Sequence, residues 1–221
     1  MQNPPFRNVF VLCTGRCGST SFERACRHAT NWTSGHETRS HLLGADRLAY
    51  PDRHIEADNR LAWMLGRLEQ RFGDSAAYVH LTRDPEAVAQ SYAGRADYGI
   101  MHAYYHGIVF PPPDMMVRDT RPVIDHARDM VATVTANIES FLRGKPHVMR
   151  LSLESIEDGF GDFWDWTGAT GNLDLAMQEW SIRHNETAPP ARGRIGRMLT
   201  WPRQARKENH GLRSSPGRHA G

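Results

Sequence analysis

The sequence predicts an α/β fold: a three-layer sandwich with a mainly parallel central sheet flanked by helices. Two observations carry this. Short apolar, β-branched runs alternate along the chain with segments whose apolar residues recur every three or four positions. A Gly-, Ser- and Thr-rich turn joins the first such run to the first such segment.

Taken in order, Asn8–Cys13 (NVFVLC) reads as a buried strand, short, apolar and β-branched. Ser19–Thr30 reads as a helix, with Phe22, Ala25, Cys26 and Ala29 on one stripe. Asn31–Glu37 and Arg53–Ala57 read as short strands. Asp58–Arg71 reads as a helix with Leu61, Met64, Leu65 and Leu68 on one face, Asp58 as its cap and Gly73 as its stop. Ala77–Thr82 is a strand, and Pro85–Arg95 a helix with Pro in its first turn. Val123–Arg143 is a long amphipathic helix, Pro146–Leu151 a strand, and Leu153–Trp166 and Leu173–His184 are helical. Gly99–Pro122, with His, Tyr, Met and Pro-Pro-Pro, has little periodicity and reads as a long loop.

A chain of 221 residues suits one α/β domain with a small appendage. We divide it into an α/β domain over 1–191 and a basic segment over 192–221. Of 27 Lys and Arg and 25 Asp and Glu, the last thirty residues hold eight basic and one acidic, so the body is mildly acidic. That segment is expected to be solvated or partly disordered, or to complete an anion site; no aromatic-studded pattern supports nucleic-acid binding. Of the basic residues 25 are Arg, which reads mainly as a codon-composition bias and matters where Arg stands in for Lys in an anion site, since its planar fork suits bidentate contacts. Three cysteines within fourteen residues, Cys13, Cys17 and Cys26, make neither a disulfide scaffold nor a zinc site. No apolar run nears the roughly 20 residues of a membrane span. The first strand begins almost at once, leaving no room for a signal peptide, so a cytoplasmic location with reduced thiols is expected.

The turn after the first strand has the layout of a phosphate-binding loop, but Gly15 and Gly18 are only three apart and no Lys precedes Ser19 and Thr20. The cation stands earlier, at Arg16. Glycines let backbone N–H groups close around an anion at a helix N-terminus, and the hydroxyls and Arg16 add donors. On these residues alone three readings stand: an anion site, a divergent nucleotide-triphosphate loop, or a turn that binds nothing. A second element, His80–Tyr92 (HLTRDPEAVAQSY), sets Arg83 at a strand end and Ser91 eight residues later in the next helix. Arg83 could grip a phosphate by its fork and Ser91 by its hydroxyl; an Asp84-capped turn without a ligand is the alternative.

Together, Arg16-Cys17-Gly18-Ser19-Thr20-Ser21 and Arg83-Asp84-Pro85…Ser91 resemble the family of sulfotransferases that use 3′-phosphoadenosine 5′-phosphosulfate (PAPS). The resemblance covers about the first 95 residues. It implies that Arg16, Ser19 and Thr20, with the backbone of Gly15–Ser21, hold the 5′-phosphosulfate, while Arg83 and Ser91 hold the 3′-phosphate. The product would be adenosine 3′,5′-bisphosphate (PAP), and no metal is expected. Arg16 stands where hormone-type members have Lys, and Ser21 where they have an adenine-stacking Trp. Their C-terminal Arg-Lys-Gly element is echoed only by Arg192-Gly193, with Arg194 and Arg197 nearby.

Sulfuryl transfer proceeds by in-line attack, with charge building on the leaving phosphate oxygen. Arg16 would stabilise that oxygen; one such donor is worth roughly 3–4 kcal/mol. The acceptor, a hydroxyl or amine on a small molecule, carbohydrate or lipid, must lose a proton to a base. Carbohydrate-acting relatives point to Glu37; hormone-type relatives point to His54; His36 and Glu56 are rivals. A small-molecule kinase or other nucleotide phosphotransferase is the alternative function. Within the Gly99–Pro122 loop, Met101–His106 and Val109–Pro113 read as a lid over the acceptor, or else as a packing excursion or a homodimer contact. Phe160, Phe163 and Trp164 read as a buried helix face.

Overall fold

The computed structural model describes residues 4–109 and 121–182. Its apolar runs become the middle of a sheet. Strands β1 (Asn8–Leu12), β3 (His54–Ala57) and β4 (Ala77–Thr82) are buried almost throughout, because both their faces are covered. The more polar β2 (Thr33–His36) and β5 (Val148–Ser152) form the edges, where backbone groups can meet water. The order is β2-β3-β1-β4-β5 and every pairing is parallel. The mainly parallel sheet expected from the sequence is thus entirely parallel.

The step from β1 to β2 runs one way along the sheet; those from β2 to β3, β3 to β4 and β4 to β5 run the other. Right-handed crossovers in opposite senses lie on opposite faces. Helix α1 (Ser19–Cys26) packs with α7 (Leu173–Gln178), which packs in turn with α6 (Ile156–Trp166). On the other face α5 (Val123–Leu142) packs against α3 (Pro85–Ala93), α4 (Gly99–Tyr104) and the 3-10 turn Asn59–Trp63. Five parallel strands send all their carboxyl ends to one edge. At β1 the chain direction reverses across the sheet, and such a switch point opens a crevice at that edge.

The core follows the sequence pattern. Phe22, Ala25, Cys26 and Ala29 are buried, as are Phe160, Phe163 and Trp164. Phe22 meets Phe163 edge-on at 4.8 Å between ring centres.

Three expectations are corrected. Helix α1 ends at Cys26, and Ala29 bridges to Gly171 instead of continuing it. The segment Asp58–Arg71 is two pieces, a 3-10 turn and α2 (Leu65–Arg71), parted by Met64 at φ −126°. Asp58 does cap the first, accepting from the Arg60 N–H at 2.8 Å. Its other oxygen is held by the buried Arg47 at 2.5 Å, which pins the entry to the turn. Burial still leaves the Asp58 carboxyl above its usual range. Finally, residues 99–109 are helical, α4 running into a π turn (Tyr105–Val109). Met101 and Tyr104, three apart, anchor α4 in the core, and the Tyr104 hydroxyl bonds Asp129 of α5. Residues 110–113 of the expected lid, His184, and the basic segment with Arg192, Gly193, Arg194 and Arg197 lie outside the described residues.

Candidate active site

The loop from Cys13 to Gly18 leaves β1 at the carboxyl edge and enters α1. Gly15, Arg16 and Gly18 all lie in the left-handed region, at φ 85°, 60° and 86°. At Gly15 space as well as φ disfavours a side chain, and at Gly18 φ does so while Leu153 would have to shift. A Cβ on Gly15 would sit 2.1 Å from the Tyr92 hydroxyl and 2.6 Å from the Asn59 amide; one on Gly18 would sit 2.8 Å from Leu153. Tyr92, from α3, is the brace. Its hydroxyl donates to the Thr14 carbonyl at 2.7 Å and accepts from Asn59 at 3.4 Å. Cys13 accepts from the Gly15 N–H, and the Cys17 thiol lies 3.2 Å from both the Gly15 carbonyl and the Thr14 hydroxyl. Their mutual contact, with burial, pushes the Cys13 thiol up, and it draws the Cys17 thiol down. All three cysteines are buried free thiols.

The two sequence elements meet here. Arg16 Nε donates to Ser91 Oγ at 2.9 Å, and Arg83 Nη1 donates to the Arg16 carbonyl at 3.1 Å. Ser91, grouped from sequence with Arg83, thus bonds the loop arginine. Arg83 leaves the end of β4, where Asp84 caps α3 by accepting from the Glu86 and Ala87 N–H groups. Glu154, after β5, accepts from the Asp84 N–H at 2.8 Å, and this bond holds its carboxyl below the usual range. Burial, then the charges of Arg95 and Arg83, hold the Arg16 guanidinium below its ordinary value. The edge is therefore a concentration of positive charge at the start of a helix, an arrangement that favours an anion.

Two candidate bases close the other side. His36, the last residue of β2, sets Nε2 3.0 Å from Ser19 Oγ and 3.4 Å from Thr20 Oγ1. Glu37 follows in the left-handed region at φ 53°; its N–H donates to the Ala57 carbonyl and its carboxylate pairs with Arg60. His54 is elsewhere. It opens β3 level with Asn8, about 13 Å along the sheet from Leu12 at ~3.3 Å per residue. There it bonds Thr33 and Glu56 and stacks on Tyr50 at 5.5 Å. Glu56 is fully buried and accepts from both the N–H and the hydroxyl of Thr38, so it shapes the turn after β2.

The carboxyl edge thus gathers Gly15, Arg16, Cys17, Gly18, Ser19, Thr20, His36, Glu37, Arg83 and Ser91. Ser21 follows in the first turn of α1, half-buried. Asn59, Arg60, Tyr92 and Arg95 escaped the sequence reading. Tyr92 stands beside Ser91 and could have been found from it; Asn59 and Arg60 carried no spacing signal. A cavity of about 440 Å³ between Trp63 and Phe141 of α5 contains none of these groups. Among the described residues no cluster of His, Cys, Asp and Glu is arranged to hold a metal, and no helix is long and apolar enough to cross a membrane.

No family model matches this chain, and no curated protein matches it. Among solved structures, the chain is similar to a mouse sulfotransferase complexed with PAP, at 13% identity and a TM-score of 0.45. The match covers 79% of this chain and 63% of that one, so the chain spans less than two thirds of its neighbour's length. At that identity the likeness is one of fold.

Proposed function

We propose that the chain is a sulfotransferase that moves a sulfuryl group from PAPS to a hydroxyl or amine acceptor. The observation that carries this reading is the direct contact between two elements 67 to 75 residues apart. Arg16 bonds Ser91 and Arg83 bonds Arg16, so both anion-seeking motifs face one site. A ligand with an anion at each end of a nucleoside suits such a pair. The loop fits its share: at Gly15 and Gly18 the backbone comes close with no side chain in the way.

PAPS supplies the activated sulfuryl group; the chain's own residues supply position and charge. The Gly15–Ser21 backbone, Ser19 and Thr20 would hold the 5′ side, with His36 fixing the two hydroxyls. Arg16 would stabilise charge on the leaving oxygen. Glu37 would take the acceptor proton, with Arg60 aiming its carboxylate. Arg83 and Ser91 would hold the 3′-phosphate. The acceptor is a small molecule, carbohydrate or lipid.

Calorimetry with PAP, ADP and ATP tests the reading. PAP should bind tightly without metal, ADP far more weakly. Arg83→Ala should weaken PAP by about 2–3 kcal/mol, since a buried phosphate loses a charged partner. Equal affinity for ADP and PAP would overturn the 3′-phosphate assignment, and magnesium-dependent ATP binding would favour a kinase instead.

A further inference from the structure

We propose that Arg95 is a third cation of this site and grips the 3′-phosphate monoester together with Arg83 and Ser91. This rests on the sulfotransferase reading.

The argument begins with the end of α3. Gly94 keeps helical angles, φ −71° and ψ −1°, and its N–H still donates to the Gln90 carbonyl. Arg95 N–H donates to the Tyr92 carbonyl at 2.8 Å, so the coil carries on for one more residue. Positions four apart on a helix share a face. Arg95 therefore stands about one turn beyond Ser91, whose hydroxyl meets Arg16 at 2.9 Å. Arg95 is half-buried, and its Nε is shut off from solvent. Its charge is also the largest like-charge influence on Arg16, ahead of that of Arg83.

Arg83 and Arg95 both act as like charges on Arg16, so bringing the three together costs mutual repulsion. A dianion relieves it, and a phosphate monoester is dianionic near neutral pH where a phosphate diester carries one charge. Guanidinium forks also match two phosphate oxygens at once, which a lysine cannot do. The ligand class that fits is thus a nucleoside with a terminal monoester, as PAP has at its 3′ position.

Calorimetry on Arg95→Ala with PAP and with adenosine 5′-monophosphate, which lacks the 3′ group, tests this. The variant should lose about tenfold or more in PAP affinity, the effect of one hydrogen-bonded charge. Its affinity for the monophosphate should stay within about twofold of the parent. Arg95→Lys should recover only part of the loss. Equal losses for both ligands would mean that Arg95 merely shapes the site, and no loss would mean that it does not reach the phosphate; either overturns the proposal. Should Arg95→Ala fail to fold, Arg95→Gln gives the same comparison. If the unaltered protein itself shows no preference for PAP over the monophosphate and ADP, the sulfotransferase reading falls, and this assignment with it. A parent that prefers PAP and an Arg95→Ala that keeps the preference would sink the Arg95 role alone.

Discussion

Arg16 and Glu37 are both non-glycine residues with positive φ, at 60° and 53°. Each such conformation costs on the order of 1–3 kcal/mol and persists only where neighbours fix it. Here the neighbours are visible: Arg83 holds the Arg16 carbonyl, and the Ala57 carbonyl holds the Glu37 N–H. Strain at two positions on the carboxyl edge supports a working role for both side chains. Glu37→Gln should leave PAP affinity unchanged and slow turnover at least about 100-fold, the low end for a general base. Unchanged single-turnover rates would shift the role to His36, which already bonds Ser19 and Thr20. The resemblance brought Glu37 forward, with His36 beside it as a rival at the end of the same expected strand. The expected strand Arg53–Ala57 already set His54 at its start, against the resemblance that pointed to it as a base, and the pairing with Asn8 places it away from the loop.

Elements were legible where burial was one-sided or complete. Strand β4 begins and ends where its apolar run does, and α5 differs from its expected span by one residue. Prediction from periodicity failed where a few residues carry the packing. Helix α4 has six residues and buries Met101 and Tyr104, too few to show a period. The 3-10 turn before Met64 is entered through a tertiary contact, the ion pair of Asp58 with Arg47, a residue from the preceding connection. That pair yields a prediction. Arg47→Met would leave Asp58 buried without its partner and should cost about 3–5 kcal/mol in urea denaturation. Removing both charges with Arg47→Met and Asp58→Leu should cost less than Arg47→Met alone; a larger cost would show that the pair is not what holds this turn.

Across the whole molecule, sheet, helices and charge answer to pH together. His80 of β4 is buried and bonds Glu139 of α5 at 2.6 Å, and Arg150 of β5 binds the same carboxylate. Burial pushes the His80 imidazole below its usual range, while the hydrogen bond from Arg150, then that of His80, holds Glu139 down to about 2. Both folded values are depressed, so the unfolded chain takes up more protons as acid is added. Stability from this trio should be whole above about pH 6.5, the unfolded histidine value, and decline as pH falls toward about 2. Chemical denaturation across that window should show a shallower decline for Glu139→Gln than for the parent; parallel curves would exclude the trio as the source.

The same parallel sheet sets an order of events. The loop on β1 is translated early, but Arg83 and Ser91 arrive 67 and 75 residues after Arg16. A chain emerging from the ribosome therefore carries half of the paired motifs, and on the proposed reading cannot grip a nucleotide until β4 has docked beside β1 and α3 has wound across the edge. Ligand capture in a series of truncated chains would report when that docking occurs.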